Sequence, residues 1–171
     1  MYQRQVLCSQ LRWVQSTWAG IDAIAHFASE TLQITPLKGV FGPAMTEYVM
    51  GWLLAIERDV ISRASHTQWT PSLEPRITGK RLGIMGAGGI GAAIALAAKP
   101  FGLEVIGLNS DGRAVEGFAA CYPSADRLVF AEGIDYLVSV LPQTAQTENL
   151  IDHEVLTRLN PRAIVINCLL Y

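Results

Sequence analysis

The chain has 171 residues, half of them hydrophobic and 16% charged, which supplies a core for one domain, or one domain plus part of another, and excludes a disordered chain. A formal net charge of −2 provides no global basic field, so neither nucleic acid nor an anionic membrane surface is an expected partner. Cys8, Cys121 and Cys168 are far apart and odd in number, which fits neither a disulfide framework nor a CxxC metal site and suits a reducing compartment. Met1 to Trp13 lacks the apolar core of a signal peptide, and no window of about 18 apolar residues occurs. The expectation is a soluble cytoplasmic protein that holds no metal.

In chain order, a short helix is predicted over Gln3 to Gln10 and a strand over Leu11 to Ser16, with Thr17-Trp18-Ala19-Gly20 as a turn. Ile21 to Ala28 has helical spacing, and Thr31 to Thr35 reads as another short strand before Pro36. Two strands and a helix cannot cover themselves, so this stretch is a piece of a domain. Gly42-Pro43-Ala44-Met45 is a helix start with proline at the first helical position. Met45, Val49, Trp52, Leu53, Ile56 and Val60 then recur at helical steps, and Tyr48, Met50 and Leu54 widen the apolar face. Such a helix is either buried in the core or packed across a subunit interface. Ser65 to Thr78 is a polar loop with Pro71 and Pro75, in which Trp69 is expected to anchor the loop.

From Lys80 onward strands alternate with helices. Strands are predicted over Arg81 to Met85, Leu103 to Leu108, Ile134 to Leu141 and Ala163 to Ile166; helices over Gly89 to Lys99 and His153 to Leu159, with a helical turn over Leu128 to Ala131. Residues 111 to 125 read as irregular. Continuous Ile/Val/Leu strands alternating with helices mark an α/β fold with a parallel sheet covered on both faces.

The most informative segment is Arg81 to Gly91, which carries G-x-G-x-x-G at Gly86, Gly88 and Gly91 between a strand and an alanine-rich helix. In a dinucleotide site the first glycine makes the tight turn, the second lets the pyrophosphate approach the backbone, and the third lets helix and strand pack closely. The helix start, with Gly89 and Ile90, supplies free N–H groups and positive potential. NAD sites place an acid at the end of the second strand to take the ribose hydroxyls; here that place is Asn109. A neutral residue does not repel a 2′-phosphate, Ser110 can donate to one, and Arg113 can pair with it. Asp111 pulls the other way, as an alternative ribose ligand. NADP (NADPH) is therefore favoured over NAD.

Taken together, these segments resemble the D-isomer-specific 2-hydroxyacid dehydrogenases, in particular the glyoxylate/hydroxypyruvate reductase branch. The likeness is carried by Leu11 to Asp22, Gly39 to Val49, the glycine loop, Phe101-Gly102-Leu103, Asp135 to Pro142 with Thr144 and Thr147, and Ala163 to Asn167. The resemblance implies a Rossmann-type doubly wound parallel sheet, incomplete, over residues 39–171, preceded by a remnant of a flavodoxin-like substrate domain over residues 1–38. It implies that Trp18-Ala19-Gly20 is a substrate-carboxylate loop, whereas the residues alone read as a tight turn with a packed tryptophan. It also implies that Leu141 and Pro142, with Thr147, line the adenosine side of the cofactor, and that the helix from Pro43 packs across a homodimer interface.

The departures from the family pattern lie at the ends. The family's strand equivalent to the one ending in Asn167 continues into a glycine–arginine–glycine turn whose arginine binds the substrate; here Leu170 stands in that place. The family's catalytic glutamate and proton-donating histidine lie further on, and His26, His66 and His153 match neither, reading as surface or capping residues. The expectation is a chain truncated at both ends. By resemblance it is an NAD(P)H-dependent reductase of a small 2-oxoacid, without a catalytic residue and without useful activity of its own. The alternatives are a non-catalytic dinucleotide-binding or subunit-interaction fragment, or another Rossmann oxidoreductase.

Overall fold

A computed structural model describes residues 10–69, 71, 73 and 75–168. Most of the predicted Gln3–Gln10 helix, Cys8 and Leu170 lie outside the described residues. The chain opens with β1 (Trp13–Gln15), α1 (Asp22–Ala25) and β2 (Gln33–Thr35). The two strands pair in parallel, Trp13 opposite Gln33, as a small sheet of their own.

Next comes α2 (Gly42–Glu57), opened by Pro43 in its first turn. The apolar spacing that suggested a helix as far as Val60 is interrupted: Asp59 turns left-handed at φ 48°, and a separate short helix, α3 (Val60–Arg63), follows. Aspartate tolerates that conformation better than most residues.

The main sheet has β3 (Arg81–Met85), β4 (Glu104–Asn109), β5 (Ala120–Pro123), β6 (Tyr136–Ser139) and β7 (Ile164–Asn167), all parallel, in the order β5-β4-β3-β6-β7. Helices α4 (Gly89–Ala98), α5 (Arg127–Ala131) and α6 (His153–Arg158) connect them. Because strand side chains alternate between faces, each strand feeds two cores. Leu82, Ile84, Val105, Tyr136 and Val138 pack against Val49 and Leu53 of α2 and Ile94, Ala95 and Ala98 of α4. Met85, Ile106, Leu108 and Leu137 pack with Phe130, Ile134 and Val155 on the α5–α6 side. Helices on both faces of a parallel sheet make a Rossmann-like, doubly wound α/β fold.

Two expectations are corrected. The stretch 111–125 is not irregular throughout: β5 adds an edge strand, Gly107 opposite Cys121. Its four residues, Ala-Cys-Tyr-Pro, are short, and proline is confined to such edges. Trp69 does not anchor its loop; it is 91% exposed, with nothing in the described chain covering it.

Candidate functional site

From β3 the chain winds outward through β4 to β5, then returns to the other side of β3 to form β6. The crevice between the carboxyl ends of β3 and β6 is thus the switch point where ligands of such sheets bind. Three loops converge there by direct hydrogen bonds. The N–H groups of Gly86 and Ala87 both donate to the Leu108 carbonyl, at 2.9 and 3.2 Å, stitching the glycine loop to the end of β4. The Val140 N–H donates to the Met85 carbonyl at 2.9 Å, fixing the loop after β6.

Within the glycine loop Gly86 and Gly91 each have a distinct steric reason. Gly86 has φ +104°, and a Cβ there would meet the Val140 carbonyl oxygen at 3.1 Å. A Cβ on Gly91 would run into the carbonyl oxygen of Gly86, so helix and turn approach as closely as backbone allows. Gly88 differs. Its backbone is extended (φ −90°, ψ −163°), a conformation open to any residue, and a Cβ there would meet nothing within 4 Å. The space above Gly88 is therefore clear. The first helical bond runs from the Ala92 N–H to the Gly88 carbonyl at 2.8 Å, and no side chain caps α4. The N–H groups of Gly89, Ile90 and Gly91 thus have no intrahelical acceptor, and an uncapped helix start of this kind carries a positive potential that suits an anion. An open cradle over uncapped donors fits a pyrophosphate.

At the end of β4, Asn109 is buried and both ends of its amide are bonded. Its Nδ2 donates to the Arg113 carbonyl at 2.8 Å, while its Oδ1 accepts from the N–H groups of Gly112 (2.6 Å) and Asp111 (3.3 Å). This is an Asx-type brace that shapes the 109–113 turn. The Ser124 hydroxyl adds a bond to the Asn109 carbonyl at 3.0 Å. Ser110 is exposed beside it. Arg113 turns back on Asp111, Nη1 to Oδ1 at 3.0 Å. Sequence reading identified the neutral residue and the nearby cation, but not the brace; an Asn followed three residues later by Gly was its available signal.

After β6, Leu141 is half-buried against the α5–α6 core and Pro142 is exposed. Thr147 does not present its hydroxyl outward: it donates to the Pro142 carbonyl at 2.6 Å and accepts from the Thr144 N–H at 2.9 Å. It folds the loop that carries Leu141 and Pro142.

Trp18, Ala19 and Gly20 lie at the carboxyl end of β1, in the other sheet. The Trp18 N–H donates to the Ser16 hydroxyl at 3.1 Å and its carbonyl accepts from Leu37 at 3.0 Å, so the turn is fixed, and one of its three backbone donors is already engaged. His26, His66 and His153 are all exposed. Burial pushes the Cys168 thiol up to about 11, which disfavours its thiolate.

Fold and crevice together define a dinucleotide-binding Rossmann domain. Residues 51–168 match the family described as D-isomer specific 2-hydroxyacid dehydrogenase, NAD binding domain, and the chain belongs to that family. It is 25% identical over 169 residues to glyoxylate/hydroxypyruvate reductase A of Serratia proteamaculans, covering 92% of this chain and 54% of that protein. Among solved structures, a D-isomer specific 2-hydroxyacid dehydrogenase family protein from Aeromonas salmonicida superposes with a TM-score of 0.81 at 34% identity, covering 92% of this chain and 52% of that one. An NADPH-dependent glyoxylate/hydroxypyruvate reductase from Sinorhizobium meliloti, solved with NADP and sulfate, gives a TM-score of 0.80 at 25% identity, covering 92% and 52%. The chain spans about half the length of these relatives.

Proposed function

We propose that these 171 residues are the cofactor-holding part of an NAD(P)H-dependent reductase acting on a small 2-oxoacid of the glyoxylate or hydroxypyruvate kind, with NADPH preferred over NADH. The observation that carries this reading is the clear space over Gly88 above the uncapped start of α4, at the switch point of a parallel sheet. The nicotinamide cofactor supplies the hydride when bound. The chain's own part is to hold it: Gly86 to Gly91 offer backbone donors to the pyrophosphate, Leu141 and Pro142, buttressed by Thr147, form the adenosine wall, and the turn from Asn109 through Ser110 to Arg113 receives the ribose 2′-position. Trp18, Ala19 and Gly20 belong to the substrate-carboxylate loop of a separate unit, with the boundary between residues 38 and 39. The relative from Sinorhizobium meliloti, described as NADPH-dependent, supports the cofactor preference. Free thiols at Cys121 and Cys168 agree with a cytoplasmic setting.

A second reading, that the chain also serves as a subunit-interaction module, is favoured by α2. One side is buried through Val49, Met50 and Leu53, while Tyr48, Trp52 and Ile56 on the other are each nearly half exposed. Tyr48 and Trp52, with Ile61, flank a shallow, largely apolar groove over Gly51 and Ala55, with Glu47 at its edge. An apolar face of this extent fits a homodimer.

Catalysis needs a proton donor within hydrogen-bond reach of the substrate oxygen and a cation to polarise the carbonyl. His26, His66 and His153 match neither catalytic position of the family pattern, so the 171 residues by themselves are expected to bind cofactor with little turnover. Fluorescence titration should give a lower Kd for NADPH than for NADH. Reduction of glyoxylate and hydroxypyruvate should run at least about 10²-fold below the Sinorhizobium meliloti reductase prepared identically. A preference for NADH contradicts the cofactor assignment; turnover within about tenfold of that control contradicts the division of labour.

A further inference from the structure

Arg113 is the cation in the turn that follows β4, and it already has a partner. Its Nη1 donates to Asp111 Oδ1 at 3.0 Å, and its backbone N–H donates to the same oxygen at 3.3 Å. The brace from Asn109 sets this up: by holding the N–H groups of Asp111 and Gly112 and the carbonyl of Arg113, it closes the turn so that both side chains lie on one side of it. The whole turn starts one residue beyond Leu108, whose carbonyl is bonded to the glycine loop, so the pair sits beside the cofactor crevice.

We propose that Asp111 is a specificity-determining residue: an internal counter-ion that occupies Arg113 in the absence of a phosphorylated ribose and competes with the 2′-phosphate for it. The inference rests on the dinucleotide reading above. A carboxylate and a phosphate present the same kind of oxygen to a guanidinium, so they are mutually exclusive partners for the same N–H group. The phosphate carries the greater charge and wins the exchange, but it must displace the carboxylate and then bear its repulsion. Both side chains are open to water, at 60% and 58% exposure, so the pair is weakly held and the exchange is easy. The same geometry argues against Asp111 as the ribose ligand. Its Oδ1 is taken twice within the turn, where an acid that receives ribose hydroxyls should point into the crevice free of a cation.

Asp111→Asn tests this, because the amide keeps an oxygen for the Arg113 N–H and removes the charge. In nucleotide-fluorescence titrations of the full 171-residue chain, the Kd for NADPH should fall about two- to fivefold, the range set by an exposed ion pair. In an Arg113→Met background the same replacement should raise the NADPH affinity by clearly less, since only the direct repulsion is relieved and no cation remains to be released. Circular dichroism on each variant verifies the fold. An NADPH affinity that is unchanged or weaker in a folded Asp111→Asn variant overturns the proposal. So does a selectivity that rises through loss of NADH binding alone, which makes Asp111 a ribose ligand. The same shift appearing in the Arg113→Met background overturns it as well, since the effect then does not pass through Arg113. If the wild-type chain, folded, binds neither nucleotide, the dinucleotide reading itself fails and this inference with it.

Discussion

A methyl group added at Gly91 runs into the carbonyl oxygen of Gly86, whereas one added at Gly89 meets nothing within 4 Å. Both positions lie in the first turn of α4, so alanine gains about 1 kcal/mol of helix propensity at either. At Gly91 the collision is with backbone, which cannot swing aside, and overpacking of that kind costs about 1–3 kcal/mol. Thermal unfolding should therefore show Gly91→Ala destabilised and Gly89→Ala level or slightly stabilised. Equal responses would mean that the close approach of helix and turn is not real. The third glycine of the motif is thus legible in sequence, and the structure supplies its cause. The roles of Asn109 and Thr147 were less legible. The end of the second strand marked Asn109, and the family resemblance Thr147, as cofactor residues; the structure adds that both also bond within their own loops. Which way a short polar side chain turns depends on the loop closing around it, and that closure is a tertiary result.

Among the elements, α6 shows how one residue sets a boundary. Asp152 accepts from the Val155 N–H at 2.9 Å as the helix cap and pairs with Arg127 at 2.9 Å. The bond from Arg127 first, and the Val155 N–H second, hold its carboxyl below the usual carboxylate range. A depressed folded-state pKa means stability that is present above the unfolded value, about 3.9, and is lost as pH falls through the lower folded value. Asp152→Ala should lower the melting temperature near neutral pH, Asp152→Asn less so because asparagine still caps, and the gap from wild type should close as the pH drops below about 4. A gap independent of pH would mean that the carboxylate is not the active feature. On α2 the apolar residues outnumber what the core can take: Val49 and Leu53 are fully buried while Trp52 stays 45% exposed. Periodicity alone could not divide the stripe, because it does not tell a core from a partner. Light scattering should find the wild-type chain dimeric and Trp52→Glu shifted toward monomer; a monomeric wild type contradicts the interface.

Across the whole molecule, the parallel sheet was readable because its strands are buried on both faces and therefore continuous in Ile, Val and Leu. Residues 81–85, Arg81 to Met85, were delimited correctly for that reason. The edge strand β5 was not readable, since one neighbour and a proline leave little apolar signal. The switch point followed from the order β5-β4-β3-β6-β7, which the sequence implies only once the crossovers are known to be right-handed and the return to β6 is placed. The proposed cofactor binding centres on the clear space over Gly88. The most direct test is a titration of NADPH into the wild-type chain and Gly88→Val side by side. Gly88 has an extended backbone and an open surround, so valine should fold there, and circular dichroism should confirm it. Its side chain would fill the space the pyrophosphate must enter. Saturable binding to the wild type and none to the folded variant is expected; equal affinity in the two would contradict the glycine-loop site.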